Sequence, residues 1–78
     1  IDTYGWILSL NNKFDESLSI LRKAYSMDSN NPSINYHIGY TLVKLNRIEE
    51  AKRELKQSLA NKNRFTERED AQKLLNSL

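Results

Sequence analysis

The 78-residue chain contains no cysteine, so disulfides and thiolate metal sites are excluded and nothing reports a redox compartment. His37 is the sole histidine, which removes multi-histidine metal sites and paired-imidazole acid–base chemistry. The two glycines, Gly5 and Gly39, stand far apart and form no phosphate-cradling loop. Apolar runs such as Trp6-Ile7-Leu8 stop at three residues, too short for a bilayer span or a signal-peptide core. Charge of neither sign dominates. Twelve Lys and Arg against ten Asp and Glu leave +2, too mild to imply nucleic acid or an anionic membrane. Apolar residues at 38% are sparse for an independent core. A domain of this size buries only about 60% of its unfolded surface, so a repeat or partner is expected to add burial. The chain opens on Ile1 rather than Met, as an excised piece of a longer protein would.

What is present is an internal repeat. A shift of 34 residues pairs Gly5 with Gly39, Leu8 with Leu42, Asn12 with Asn46, Glu16 with Glu50 and Leu21 with Leu55. Similar residues fill the gaps, among them Tyr4/Ile38, Trp6/Tyr40, Phe14/Ile48, Ser17/Ala51 and Ala24/Ser58. Chance would supply roughly one or two identities over that stretch.

Each unit reads as two antiparallel helices, and helices are expected near 1–11, 13–28, 32–45, 47–60 and 66–77. Ile1, Tyr4, Leu8 and then Phe14, Leu18, Leu21, Tyr25 recur at three- and four-residue steps. Ile34, Ile38, Leu42 and Leu45 repeat the stripe in unit two, followed by Ile48, Ala51, Leu55, Ser58 and Leu59. Asn12 with Asp15, and Asn46 with Glu49, are N-cap candidates; Asn31-Pro32 is an N-cap followed by proline at the first helical position. Mid-helix glycine costs about 1 kcal/mol relative to alanine. Gly5 and Gly39 therefore call for a close helix crossing, with Ser17 and Ala51 as the small partners. Thr66-Glu67-Arg68-Glu69 has the form of a capping box. Behind it Ala71, Leu74, Leu75 and Leu78 make one stripe, while Glu67, Asp70, Lys73 and Asn76 stay polar, as a terminal capping helix requires. A truncated third repeat is the alternative.

The motifs Tyr4-Gly5-x-x-Leu8 with Ser17-x-x-x-Leu21, and Ile38-Gly39-x-x-Leu42 with Ala51-x-x-x-Leu55, resemble the tetratricopeptide repeat (TPR). The chain departs from that pattern at Ile1 and Asn35 in the leading aromatic slot, and at Ser29 and Asn63 in the closing proline slot. The resemblance implies an all-α, right-handed helical-hairpin solenoid: unit one over 1–31, unit two over 32–65 and a capping helix over 66–78. A narrower similarity, in Asp2-Thr3-Tyr4-Gly5-Trp6-Ile7-Leu8, Tyr36-His37-Ile38-Gly39, Glu50-Ala51-Lys52-Arg53-Glu54-Leu55 and Phe65 to Ala71, is to the C-terminal tails of long bacterial TPR proteins. Those accompany exosortase (PEP-CTERM) surface-sorting and exopolysaccharide systems.

On the family's geometry the first helix of each pair lines a concave groove. That face presents Asp2, Thr3, Trp6, Ser9 and Leu10, then Ser33, Tyr36, His37, Tyr40, Val43 and Lys44. Trp6, Tyr36 and Tyr40 are the candidate anchors, and Asp2, His37 and Lys44 the polar rim. For Trp6 and Tyr40, packing between repeats is the equal alternative. The Lys, Arg and Asn clamp with which some TPR domains grip a terminal carboxylate is absent from these positions. Lys52, Arg53, Lys56, Lys62, Arg64 and Arg68 make a basic stretch interleaved with Glu49, Glu50 and Glu54, with Glu49 and Arg53 at pairing distance. No aromatic accompanies it to stack bases, which disfavours nucleic acid. No motif frames a serine nucleophile for His37. The expectation is a non-catalytic protein-interaction module without cofactor or metal, binding a protein or peptide segment in the aromatic groove. The alternative is a structural C-terminal cap of a longer solenoid, self-associating through an apolar N-terminal face around Ile1, Tyr4, Ile7 and Leu8 and holding no ligand.

Overall fold

The computed structural model describes residues 2–78. Its regular elements are helices α1 (Asp2–Leu10), α2 (Phe14–Met27), α3 (Pro32–Lys44), α4 (Ile48–Ala60) and α5 (Arg68–Asn76), with no strand among the described residues. Each bound falls within two residues of the periodicity. Among the described residues no helix is long and apolar enough to cross a membrane.

The turns inside the two hairpins are built differently from the expected caps. Asn12 and Asn46 have φ of 64° and 60°, the left-handed region that Asn tolerates better than most residues. Lys13 N–H donates to the Leu8 carbonyl at 2.8 Å and Asn12 N–H to the Ser9 carbonyl at 3.0 Å. Arg47 to Leu42 at 2.9 Å and Asn46 to Val43 at 2.9 Å repeat this pair of bonds one unit later. Both asparagines thus close the preceding helix in a Schellman motif. The N-cap positions fall one residue on, at Lys13 and Arg47, which make no side-chain cap bond. Arg47 instead holds Glu50 through a forked contact, Nε to Oε2 at 2.6 Å and Nη2 to Oε1 at 2.9 Å. Asn31 behaves as expected: its side chain accepts from Ser33 N–H at 3.0 Å, ahead of Pro32.

Each hairpin packs at its glycine. A methyl group on Gly5 would lie 2.8 Å from Leu21 Cγ and Cδ2, and one on Gly39 would lie 2.8 Å from Leu55 Cδ2. The occupant of the space is therefore this leucine, one turn beyond the expected Ser17 and Ala51. Those small residues still serve the crossing. The Ser17 hydroxyl donates to the Gly5 carbonyl at 2.7 Å, and the Ala51 carbonyl would sit 3.5 Å from a Gly39 methyl.

Helix α3 packs against both α1 and α2, and α5 packs against both α3 and α4. The first junction buries Leu18, Leu21, Ala24, Ile34, Ile38, Leu42 and Ala51 in one cluster. Hydroxyls bridge it: Thr41 donates to the His37 carbonyl at 2.8 Å and lies 2.9 Å from Ser9 Oγ. Ser9, expected on the open wall, is therefore 1% exposed. Tyr4, expected in the core stripe, is 56% exposed, because α2 and α3 cover only one side of α1.

The start of α5 differs from the expected capping box. The helix begins at Arg68 with Glu67 at the N-cap position, and no side-chain cap bond forms there. Arg68 is drawn the other way, donating to the Leu59 carbonyl at 2.9 Å and the Asn61 carbonyl at 2.7 Å while lying over the Phe65 ring. It closes the carbonyls at the end of α4, which have no helical donor of their own. Glu69 pairs with Lys73 at 3.4 Å.

Candidate functional site

The helix pairing sets α1, α3 and α5 side by side, and the 34-residue register places Trp6, Tyr40 and Leu74 at equivalent points along them. All three are partly buried. The Trp6 ring meets the Tyr40 ring edge-on, with centroids 4.9 Å apart, and stacks on His37 at 4.2 Å and 18°. Tyr36 lies 6.0 Å from Trp6. Lys44 places its ammonium 5.4 Å from the centre of the Tyr40 ring, a cation–π distance. Five of the six expected groove residues are thus one connected group. The sixth, Asp2, lies in α1, but its side chain falls outside the described residues.

Depth divides the group. Tyr36 is 8% exposed and His37 5%, so neither offers a free face; Trp6, Tyr40 and the exposed Lys44 form the accessible part. Tyr36 belongs to a second cluster with Leu55 and Ala71, against which Trp6, Leu59, Phe65, Leu74, Leu75 and Leu78 pack. Burial pushes its phenol above the ordinary value, and Asp70, Glu67 and Tyr40, in that order, push it the same way. The surroundings of this ring are negative.

Glu67 was expected on the polar outer face, yet it points inward. One carboxylate oxygen accepts from the Ser33 hydroxyl at 2.9 Å and the other lies 3.2 Å from His37 Nε2. Ser33 and Glu67 are themselves 34 residues apart, so the repeat register held the signal for this contact.

Two members of the basic stretch are engaged within the chain. Lys52 pairs with Glu49 at 3.5 Å, taking the place expected for Arg53, and Arg68 is committed to the backbone between α4 and α5. Among the described residues, no three His, Cys, Asp or Glu side chains gather as a metal site requires.

The family model described as Tetratricopeptide repeat matches residues 8–78. The chain belongs to the tetratricopeptide repeat family. No curated protein and no solved structure matches it. TPR domains are in general protein–protein interaction modules and non-catalytic scaffolds, and the all-helical hairpin architecture here is theirs. In TPR terms Gly5/Leu21 and Gly39/Leu55 are the same intra-hairpin contact made twice, and α5 takes the place that α3 takes on the unit before it.

Proposed function

We propose that this TPR domain captures a partner segment along the wall formed by α1, α3 and α5, with Trp6 and Tyr40 as aromatic anchors and Lys44 at the rim. Tyr36 and His37 form the floor beneath them and hold the anchors in place. The observation that carries this reading is the edge-on Trp6–Tyr40 pair, partly open to solvent and braced from below by the His37 ring. Rigid aromatics of this kind supply contact area at small entropic cost. An extended or helical segment with apolar side chains fits the wall. No reaction is involved. The similarity to bacterial TPR tails makes components of exosortase sorting and polysaccharide export the first partners to try.

Selection of a peptide library on the immobilised domain tests this, with a Trp6→Ala/Tyr40→Ala double variant as comparison. Loss of capture at unchanged far-ultraviolet circular dichroism is the expected result; capture that survives in the folded double variant refutes it.

A second reading has its own support. Tyr36 and His37 are spent on packing against Trp6 and α5, as in a segment over 66–78 that closes a solenoid. On that reading the domain caps a longer stack and its remaining apolar surface serves self-association.

A further inference from the structure

Charge is laid unevenly along the wall described above. On α3, Tyr36 stands four residues before Tyr40 and Lys44 four residues after it, so one side-chain step along the wall is about 6 Å. The 34-residue register sets Asp70 of α5 level with Tyr36, as it sets Leu74 level with Tyr40. Packing of α5 on α3 joins these rows into one surface.

One end of that surface is negative. Asp70 is exposed and enters none of the ion pairs among the described residues. Its charge still reaches the Tyr36 phenol, which burial raises first and Asp70 next. The two cations of α5 do not neutralise it. Arg68 is held by the Leu59 and Asn61 carbonyls at 2.9 and 2.7 Å, and Lys73 by Glu69 at 3.4 Å. At the opposite end Lys44 is exposed, lies 5.4 Å from the centre of the Tyr40 ring and is likewise outside those ion pairs. The order along the wall is carboxylate, partly open apolar row, ammonium. Alternate side chains of an extended segment lie about 6.8 Å apart, close to the step of the wall.

We propose that the segment captured here is extended, with Lys or Arg over Asp70, a large apolar side chain two residues along on the Trp6–Tyr40 pair, and Asp or Glu two residues further over Lys44. This rests on the wall reading above and adds to it the order of charge. The apolar side chain supplies most of the affinity. Exposed ion pairs contribute little each, and they decide which apolar segments are refused.

Selection of a random decapeptide library on the whole chain, with each variant checked by circular dichroism, tests this. Captured peptides should be enriched in Lys or Arg two positions from a large apolar residue, with Asp or Glu two positions on its other side. Asp70→Lys should turn the basic preference acidic and keep the apolar one. Asp70→Asn, the milder variant, should weaken a selected peptide about two- to fivefold. Absence of capture, or capture that outlasts loss of Trp6 and Tyr40, overturns the wall itself and this proposal with it. Capture that needs both rings yet shows no basic enrichment overturns the charge order alone. So does a basic preference that both Asp70 variants leave unchanged.

Discussion

Glu67 reaches from the start of α5 to within 3.2 Å of the His37 imidazole on α3, with its second oxygen on the Ser33 hydroxyl at 2.9 Å. This fastens the last helix to the floor of the aromatic group, since the same imidazole stacks on Trp6. Through those contacts the placement of α5 and the setting of the Trp6 ring are linked.

Replacing Glu67 by alanine should therefore loosen α5 first. The expected loss is about 1.5 kcal/mol in urea unfolding, the low end of the range for a hydrogen bond to a charged group, since the carboxylate is partly exposed. Amide exchange should rise in α5 while α2 keeps its protection. Uniform exchange along all five helices would argue against a local fastening.

Gly39→Ala should destabilise although alanine is the better helix former. The substitution gains about 1 kcal/mol in propensity. Its methyl would sit 2.8 Å from Leu55 Cδ2 and 2.9 Å from Cγ, and overpacking of that kind costs about 1–3 kcal/mol. Combining it with Leu55→Val should recover part of the loss, and a double-mutant cycle with no coupling would rule out the crossing as its cause.

At Asn46, with φ of 60°, glycine and alanine should act in opposite directions. Asn46→Ala should cost about 1 kcal/mol, because alanine keeps the Cβ but loses the short polar side chain that eases the left-handed conformation, and Asn46→Gly, which removes the Cβ, should be neutral or slightly stabilising. Denaturation midpoints of the two variants measure this. Equal losses would point to a side-chain cap instead.

Stability should fall at high pH through Tyr36. Its phenol titrates above the ordinary value of 10.0 in the folded chain, raised first by burial and then by Asp70, Glu67 and Tyr40. Below the unfolded value the group is protonated in both states and its contribution is fully present. As pH rises past 10 the unfolded chain loses this proton while the native one keeps it, so unfolding gains ground until the native phenol also ionises. Denaturation midpoints measured from pH 9 upward should show this decline, and Tyr36→Phe should flatten it.

Arg68→Lys should behave like Arg68→Ala in loosening the turn between α4 and α5. The guanidinium reaches the Leu59 and Asn61 carbonyls at 2.9 and 2.7 Å with two different nitrogens, a fork a single ammonium cannot reproduce. Thermal melts of the two variants should shift downward together; full retention by lysine would show that charge alone suffices.

The architecture was legible in the chain because helical periodicity and a 34-residue register are properties of sequence spacing. Asn31-Pro32 belongs to the same class, since a cap followed by proline acts within one turn. Asn12 and Asn46 mark the limit of such reading. The same residue type can cap the next helix or close the previous one, and the choice depends on a backbone angle fixed by how tightly the hairpin turns. Thr66 and Glu69 failed as a capping box for a related reason: Glu67 and Arg68 have partners on α3 and at the end of α4, and those distant contacts outweigh a local one.

Spacing along the chain determined which residues share a helix face and which positions recur in successive hairpins. The side chains of Trp6, Tyr36, His37 and Tyr40 were named from that spacing together with the resemblance to the TPR, which implies that the first helix of each pair lines the groove. Their depth was decided only by tertiary packing: α5 folds over Tyr36 and His37 while leaving Trp6 and Tyr40 partly open, and Tyr4 and Ile7 stay exposed among the described residues. Periodicity gives a residue's direction from its own helix axis, whereas exposure depends on whether another helix arrives on that side.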